Sequence, residues 1–543
     1  HTSFIFDCMK SVRINIHGTV QGVGFRPFVY RLANELNIKG WIVNSSEGVT
    51  IEAEGIEKNI NDFLLKLREE KPVNSSITSF SFIDSSVKYF QLFEIRQSSN
   101  SQKKTALILP DIAACKDCEE EIFNPEDRRY LYPFTNCTNC GPRFSIIEAI
   151  PYDRANTTMR EFEMCDKCKA EYENPFDRRF HAEPIACPDC GPQVTFYDNE
   201  KNLISERHEA IVKAAQFIRE GKIVAVKGLG GFQLLADASN EKAIKTLRER
   251  KHREEKPLAM MFPSLENVKD FCEVNSEEEK LLCSAHAPIV LLRKKENNFI
   301  AKSIAPENNY YGVMLPYTPL HKILLEVLDT PIAATSGNIS DEPICIDNDE
   351  AFEKLGGIAD YFLVHNRKIV RQVDDSVARI VKGKPFMIRR ARGFAPYPVI
   401  TDSEVPPAIA AGGHLKNTVA ISSGKNIFIS QHIGDLDTKE AFGAFKKIIH
   451  DFQNLYAVKP GTVISDLHPD YVSTKFAEKL GLNHFQVQHH YAHMLSCIAE
   501  NKIEGEVLGI CWDGTGFGTD GNIWGGEFLK VNEDKFERFA HLK

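Results

Sequence analysis

VQGVGFRPFVYRLANELNIKGWIVNSSEGVTIEAEG, residues 20–55, contains a helical pattern followed by a strand–turn–strand pattern. Ahead of it, Val12, Ile14 and Ile16 alternate with polar residues, which indicates a half-buried strand. The other elements predicted in this region are a helix over 27–36, strands over 41–43 and 49–53 around a turn at 44–48, a helix over 59–70, and a closing strand at Phe93 and Ile95. The order β-α-β-β-α-β is that of a ferredoxin-like sandwich.

The connection between the first strand and the first helix is a candidate anion site. Its glycines let backbone N–H groups converge at a helix N-terminus, an arrangement that binds phosphate. Arg26 adds a charged clamp. A tight turn beside a surface arginine is the alternative, because short glycine motifs also arise by chance. The predicted phosphate-binding loop consists of Gln21, Gly22, Val23, Gly24 and Phe25.

The whole stretch 20–55 resembles the acylphosphatase family. The resemblance implies that Arg26 binds an acyl phosphate and that Asn44, on the facing strand, orients the attacking water. Neither side chain is a strong base. That suits an acyl phosphate, whose leaving group is good and for which positioning supplies most of the catalysis.

A duplicated set of Cys-x2-Cys pairs follows. NPEDRRY at 124–130 recurs as NPFDRRF at 174–180, and both halves end in Cys-Gly-Pro. Two such pairs place four thiolates around one ion, so we predict two structural zinc ions, each bound within one repeat. Pairing interleaved between the repeats is the alternative, and disulfides are disfavoured in a chain without a secretory signal. The predicted ligands are Cys115, Cys118, Cys137, Cys140, Cys165, Cys168, Cys187 and Cys190.

From about residue 206 the pattern is mixed α/β, with a helix predicted over 208–220 and a strand over 222–227. A basic cluster over 248–256 has a solvated helix face as its ordinary interpretation. KGLGGFQLLADA (227–238), LRERKHREEKPLAMMF (247–262) and ATSGNISDEPI (334–344) resemble the YrdC family, which activates carbamoyl-type acids with ATP. The resemblance implies that Lys251, Arg253 and Lys256 bind the phosphates of ATP, which magnesium accompanies. It also implies that Ser336 and Asn338 contact the nucleotide or the carbamoyl group, and that Lys227 belongs to the nucleotide and substrate site.

RRARGFAPYP, residues 389–398, is predicted to be a linker to a last segment with strands over 407–411 and 418–422. His489 and His493 are four residues apart, so a helix places both imidazoles on one face; packed or surface histidines are the alternative. The segment resembles TsaD-like carbamoyltransferase domains, which are actin-like. The resemblance implies a divalent metal, zinc or iron, at His489, His493 and Asp513, and a domain that continues beyond the chain.

This succession of domains resembles the HypF family of carbamoyltransferases. The resemblance implies a relay: hydrolysis of carbamoyl phosphate, formation of carbamoyl adenylate with ATP, and transfer of the carbamoyl group to the C-terminal cysteine of HypE, as precursor of the cyanide ligands of nickel–iron hydrogenases. Because free carbamate decomposes, we expect an internal cavity between the central domain and its neighbours. The predicted multidomain α+β and α/β chain has a remnant of cloning or annotation at 1–8, an acylphosphatase-like domain at 9–100, a double zinc finger at 101–200, a YrdC-like domain at 201–397 and an incomplete TsaD-like domain at 398–543.

Composition fits this interpretation. The 543 residues are too many for one core, and no apolar run approaches the roughly 18 to 20 residues that cross a bilayer. The formal charge of -9 disfavours extensive nucleic-acid binding, so we expect no nucleic acid, no membrane and a cytoplasmic location. Two rivals are a fused tRNA threonylcarbamoyl-adenosine synthase, which leaves the acylphosphatase segment unexplained, and a non-enzymatic zinc scaffold, which makes Arg26 and Asn44 coincidences.

Overall fold

The computed structural model describes residues 9–45, 48–72, 75–99, 107–296, 299–532 and 535–542. The chain divides into two compact units, His1–Ser340 with Ile344–Tyr397, and Asp341–Pro343 with Pro398–Lys543. The predicted remnant at 1–8 and the turn residues 46–47 lie outside the described residues. None of the helices in the described ranges has the length and apolar character needed to span a membrane.

The first unit begins with a five-stranded sheet. Its elements are β1 (Met9–Thr19), α1 (Phe25–Glu35), β2 (Lys39–Ser45), β3 (Gly48–Ile56), α2 (Glu57–Glu69), β4 (Ser76–Ser85) and β5 (Phe93–Ser99). The strand order is β4-β1-β3-β2-β5, the predicted ferredoxin-like arrangement with one strand more. Strand β4 pairs with β1, and the predicted closing strand lies instead beside β2. Strand β4 is a largely exposed, serine-rich edge strand, and it was not predicted although Phe80 and Phe82 alternate with serines.

The next segment has little regular structure and contains the two cysteine repeats. Its helices, α3 (Lys116–Phe123) and α4 (Asp166–Glu173), each begin directly after the first cysteine of a repeat. The four thiols of each repeat converge on a separate point, as within-repeat pairing predicts. Three sulfur–sulfur distances in each cluster lie between 3.5 and 3.8 Å. Four thiolates placed about 2.3 Å from a tetrahedral zinc lie about 3.8 Å apart, so both clusters fit zinc and neither fits a disulfide.

Each cysteine cluster consists of cysteines from one repeat, but arginines from the other repeat contact it. Arg178 of the second repeat donates to Cys118 Sγ in the first at 3.2 Å. Arg128 of the first repeat donates to Cys168 Sγ in the second, also at 3.2 Å. A zinc ion with four thiolates would carry a net charge of -2, which these crossed guanidinium groups would offset. The accompanying crossed ion pairs are Arg128 and Arg129 with Glu171, and Arg178 and Arg179 with Glu121.

A twelve-stranded mixed sheet with helices on its faces completes the first unit. Its path is β17-β16-β12-β13-β10-β14-β9-β8-β15-β6-β7, with β11 beside β12. Its elements are β6 (Val194–Asp198), β7 (Leu203–Glu206), α5 (Arg207–Arg219), β8 (Val224–Lys227), β9 (Phe232–Asp237), α6 (Glu241–Arg250), β10 (Ala259–Met261), α7 (Leu265–Phe271), β11 (Cys272–Glu273), α8 (Ser276–Leu282), β12 (Ile289–Lys294), β13 (Tyr310–Met314), α9 (Pro319–Leu328), β14 (Ile332–Ser336), α10 (Asn348–Leu355), β15 (Tyr361–His365), β16 (Val377–Val381) and β17 (Lys384–Arg389).

The prediction of a linker over 389–398 is wrong. Arg392 in this segment is 1% exposed and forms an ion pair with Asp375 at 2.7 Å. Its guanidinium also donates to the carbonyl of Ala287 at 2.6 Å and lies 3.4 Å from the ring centroid of Tyr317. The arginine and proline content of the segment is typical of an exposed linker, but the arginine is buried because an acid and carbonyl groups from distant parts of the chain surround it.

The second unit contains two sheets, ordered β18-β20-β19-β21-β22 and β23-β24-β25. Its elements are β18 (Pro398–Val405), β19 (Ala408–Ala410), β20 (Ala420–Ile429), α11 (Lys439–Tyr456), β21 (Thr462–Asp466), α12 (Val472–Glu478), β22 (Asn483–Val487), α13 (His489–Asn501), β23 (Val507–Phe517), β24 (Ile523–Asn532) and β25 (Lys535–His541). The predicted strands at 407–411 and 418–422 correspond to β19 and to the start of β20.

The crossed arginines predict a crossed effect on metal binding. We expect Arg178→Ala to weaken metal binding in the first cysteine cluster about 10- to 100-fold, although Arg178 lies in the second repeat. Cysteine alkylation in the presence of a chelator, followed by peptide mapping, identifies which cluster opens first. Arg160→Ala, which removes a half-exposed ion pair with Glu148, is the matched control. Faster opening of the second cluster in Arg178→Ala would contradict the arrangement.

Burial of Arg392 predicts a large loss of stability. Arg392→Leu leaves Asp375 without its ion-pair partner, which costs about 3 to 5 kcal/mol of the free energy of unfolding. Urea unfolding measures the difference, with Lys384→Ala on the exposed start of β17 as the control. A change below about 0.5 kcal/mol, typical of an exposed site, is the result that a linker would give.

Candidate functional site

Arg26 and Asn44 form the first candidate site. Gly22 and Gly24 have φ values of 71° and 73°, a left-handed conformation that glycine adopts without strain, and α1 starts immediately afterwards. Arg26 in its first turn is 7% exposed. In the amide orientation favoured by the hydrogen bonds, the Asn44 oxygen accepts from Arg26 Nε at 3.1 Å and Nη2 at 3.2 Å. The two predicted residues therefore lie side by side.

The other loop residues position this pair. The Gln21 amide donates to the carbonyls of Ser45 and Gly48, which ties the loop to the hairpin that carries Asn44. Val23 and Phe25 are buried in the hydrophobic core, so only their backbone is available to a ligand. Thus the loop holds its shape through contacts on its inner side.

Sequence reasoning missed acidic residues from the finger segment. Glu183 Oε1 lies 3.1 Å from Arg26 Nη2, and Asp153 Oδ1 lies 3.5 Å from the same nitrogen. The Tyr172 hydroxyl and the Arg154 backbone N–H each donate to Glu183 Oε2 at 2.9 Å. Burial raises the pKa of Glu183 to about 7, and Arg26 opposes that shift. One signal was present: Glu183 stands where the first repeat has Pro133, so the repeats differ there.

A cleft of about 960 Å³ lies beside the loop. Its lining includes Gly24 of the loop, Arg178 of the finger segment and Lys322 of the central region. Among the described residues that line it, none belongs to the cluster of Lys251, Ser336 and Asn338, called the central cluster below. The cleft therefore adjoins the loop at the junction of three chain regions, and does not extend to that cluster.

Lys251, Ser336 and Asn338 come together as predicted for the central site. Lys251 Nζ donates to the Asn338 side-chain oxygen at 2.7 Å and to its carbonyl at 2.8 Å, and it also contacts the Ser336 carbonyl. The Ser336 hydroxyl donates to the same Asn338 oxygen at 2.7 Å. Burial, followed by the charge of Arg253, lowers the pKa of Lys251 to about 7. A buried lysine of this kind is not part of a solvated helix face.

The end of α6 explains why these cations gather. His252 adopts a left-handed φ of 50°, and Arg253 N–H bonds back to the Arg248 carbonyl, which together reverse the chain. Arg248 then donates to the carbonyls of Arg253 at 2.8 Å and Lys256 at 3.3 Å. Arg248 thus holds the loop that presents the other cations. Burial lowers the pKa of Arg253 to about 10.

Lys227 lies in a different group of residues. Its Nζ donates to Asn348 Oδ1 at 2.7 Å and to the His365 carbonyl at 3.2 Å, and burial lowers its pKa to about 8. Sequence reasoning missed Arg389 and Asp374, which pair at 2.5 Å and act electrostatically on Arg253. Arg389 was visible in the sequence, but its assignment to a linker hid its place in the basic cluster.

The second unit brings His489, His493 and Asp513 together. Asp513 Oδ2 lies 2.9 Å from His489 Nε2 and 3.1 Å from His493 Nε2. The helix α13 carries both histidines and β23 carries the aspartate. Asp466, which sequence reasoning missed, contacts His489 Nδ1 at 2.6 Å and raises the pKa of that histidine. A carboxylate on Nδ1 leaves Nε2 to face a metal, so this donor set fits a divalent ion.

The family models match the same segments. They are acylphosphatase over residues 12–95, the HypF finger over 114–147 and 164–197, the Sua5/YciO/YrdC family, described as telomere recombination, over 216–391, the HypF Kae1-like domain over 403–500, and the second subdomain of the Kae1-like carbamoyltransferase domain over 509–543. The predicted acylphosphatase, finger and YrdC identities are confirmed, and the segment predicted as TsaD-like matches the Kae1-like domain.

Relatives match along almost the whole chain. Carbamoyltransferase HypF of Synechocystis sp. is 51% identical over 98% of this chain and 70% of its own length. HypF of Rhizobium leguminosarum is 43% identical over 98% and 69%. A crystal structure of full-length HypF in a phosphate- and nucleotide-bound form matches with a TM-score of 0.96 at 49% identity, over 99% of this chain and 70% of that one. This chain belongs to the HypF family of carbamoyltransferases.

Proposed function

We propose that this chain takes carbamoyl phosphate through hydrolysis and adenylation and delivers the carbamoyl group to the C-terminal cysteine thiol of HypE. Three balanced steps make up the route. Carbamoyl phosphate and water give carbamate and phosphate; carbamate and ATP give carbamoyl adenylate and pyrophosphate; the adenylate and the thiol give a thiocarboxamide and AMP. The thiocarboxamide is the precursor of the cyanide ligands of nickel–iron hydrogenases.

Hydrolysis is assigned to Arg26 and Asn44. The guanidinium clamps the phosphate, and the Asn44 side chain, within hydrogen-bond distance of that guanidinium, orients the attacking water. The single observation that carries the proposal is the hydrogen-bonded pair of Arg26 and Asn44 inside an acylphosphatase-like fold. That fold lies in the same compact unit as the central cluster around Lys251. Both lie in a chain whose relatives are carbamoyltransferases.

Adenylation is assigned to the central cluster. Lys251 and Arg253 place positive charge where negative charge builds on the α-phosphate and the departing pyrophosphate, and magnesium accompanies ATP there. Ser336 and Asn338 supply hydroxyl and amide groups beside Lys251 for the nucleotide or the carbamoyl group. Lys256 and Lys227 are proposed contacts as well, Lys227 from its separate position.

Transfer is assigned to the second unit. His489, His493 and Asp513 would hold a divalent metal, zinc or iron, which supplies charge to position the nucleotide and the carbamoyl group. Asp466 fixes the His489 ring in the orientation that this requires. The reduced cysteine clusters favour a cytoplasmic location, since thiolate ligands persist where disulfides do not form.

Isotope exchange between pyrophosphate and ATP tests the coupling of the first two steps. We expect exchange to require carbamoyl phosphate and to fall at least about 100-fold in Arg26→Ala and in Lys251→Ala. Lys251→Ala retains the release of phosphate from carbamoyl phosphate, whereas Arg26→Ala loses it. Lys245→Ala, which changes an exposed lysine on α6, the helix that ends just before Lys251, is the control. Exchange that instead responds to threonine and bicarbonate would favour the tRNA-modification alternative.

Metal analysis tests the assignment in the second unit. Three metal ions per chain are expected, two in the cysteine clusters and one at the histidine pair. His493→Ala removes one ligand and lowers the content to two, because two remaining ligands hold a metal weakly. His450→Ala, on the exposed face of α11, keeps all three. A wild-type content of two, unchanged in His493→Ala, contradicts the third site.

A further inference from the structure

Two carboxylates from outside the acylphosphatase-like fold lie against Arg26. Glu183 is 2% exposed and its Oε1 is 3.1 Å from Arg26 Nη2. An anion bound to the same guanidinium nitrogen lies about 3 Å from it, so its nearest oxygen comes within about 6 Å of Glu183 Oε1. A carboxyl group that belongs to the second finger repeat therefore borders the position that the proposed function assigns to an acyl phosphate.

The Glu183 side chain is held in a fixed position. The Tyr172 hydroxyl and the Arg154 N–H both donate to Oε2 at 2.9 Å, and Arg154 Nη1 donates to the Glu183 carbonyl at 2.7 Å. These bonds leave Glu183 Oε1 directed at the Arg26 guanidinium and at an anion bound to it. Asp153 differs from Glu183 in its exposure to solvent: its side chain is 29% exposed, so water reaches it.

A fixed carboxylate beside a phosphate site repels the phosphate, and a hydrogen-bond donor on the substrate offsets that cost. Carbamoyl phosphate differs from other small acyl phosphates in having an NH₂ group on the acyl carbon. That group offers two N–H donors where acetyl phosphate offers a methyl group. A buried acceptor that meets a methyl group loses a hydrogen bond, and sites built around such an acceptor reject the analogue.

We propose that Glu183 determines the substrate specificity of the Arg26 site by accepting a hydrogen bond from the carbamoyl NH₂ group. The inference rests on the proposed function, because it takes Arg26 and Asn44 as the place where the acyl phosphate is hydrolysed. It deepens that function by assigning the choice between acyl phosphates to a residue of the finger segment. Glu183 here forms no covalent bond and transfers no proton.

The test compares carbamoyl phosphate with acetyl phosphate on the same preparations of the full chain. The quantity measured is kcat/KM for phosphate release, corrected for spontaneous breakdown of each substrate. We expect Glu183→Ala to reduce the preference for carbamoyl phosphate about 10- to 100-fold, the loss of one hydrogen bond to a charged group. The loss falls on carbamoyl phosphate, while the value for acetyl phosphate stays the same or rises.

Two further variants keep the result interpretable. Glu183→Gln retains the shape and one acceptor, so it is expected to lose less of the preference than Glu183→Ala and serves if the alanine variant does not fold. Asp153→Asn removes a similar charge near Arg26 from a more exposed position, so the preference is expected to change by less than about 3-fold. The ratio of the two substrates does not depend on the fraction of active protein.

Parallel changes for both substrates in the alanine and glutamine variants would overturn the proposal, since a structural or purely electrostatic role gives that outcome. An unchanged ratio in both variants would overturn it equally. Failure of the proposed function is recognised separately. If Arg26→Ala released phosphate from carbamoyl phosphate as fast as the wild type, hydrolysis would lie elsewhere, whatever the Glu183 variants did.

Discussion

A buried guanidinium must find acceptors for its N–H groups, and this requirement joins distant parts of the first unit. Among its described residues, the three largest side chains with less than 2% exposure are those of Arg129, Arg143 and Arg392. Arg129 crosses between the finger repeats to the Ala186 carbonyl at 2.8 Å, and Arg143 donates to the Gly22 carbonyl of the phosphate loop at 2.9 Å. Arg392 joins the end of the unit to its central sheet. The same kind of bond therefore positions the fingers, the loop and the sheet.

The nature of the acceptors separates structural from functional arginines. Arg143 and Arg248 donate largely to backbone carbonyls, which a ligand cannot displace without moving the chain. Arg26 is also buried, but its acceptors are the side chains of Asn44, Glu183 and Asp153. The partly exposed Asp153 side chain can turn aside for a phosphate at a modest cost, whereas a backbone carbonyl and the fixed Glu183 carboxylate cannot. Arg26 is thus buried enough to interact strongly and still able to exchange a side-chain partner for a ligand.

Which parts of the site could be predicted depends on how far apart the contributing residues lie along the sequence. The cysteine repeats, the phosphate loop and the histidine pair are local patterns, and the structure brings each of these sets together. Glu183 and Arg26 are separated by 157 residues, and no periodicity joins them. The prediction of a linker at 389–398 was wrong for the same reason. The composition of that segment is typical of a linker, and only the folded unit brings Asp375 to Arg392. Strand β4 was not predicted, and in the structure it is an edge strand most of whose side chains stay outside the core.

The second cysteine cluster and the acyl phosphate site share the segment that links them. Helix α4 begins after Cys165 and carries Tyr172, and Glu183 lies four residues before Cys187. The ligand cysteines on either side therefore fix both the carboxylate and the hydroxyl that orients it. A metal with four thiolates has no open position for substrate, so its contribution is geometric. In this chain the finger segment positions the Glu183 carboxylate against Arg26, and an acylphosphatase-like fold alone would lack that carboxylate.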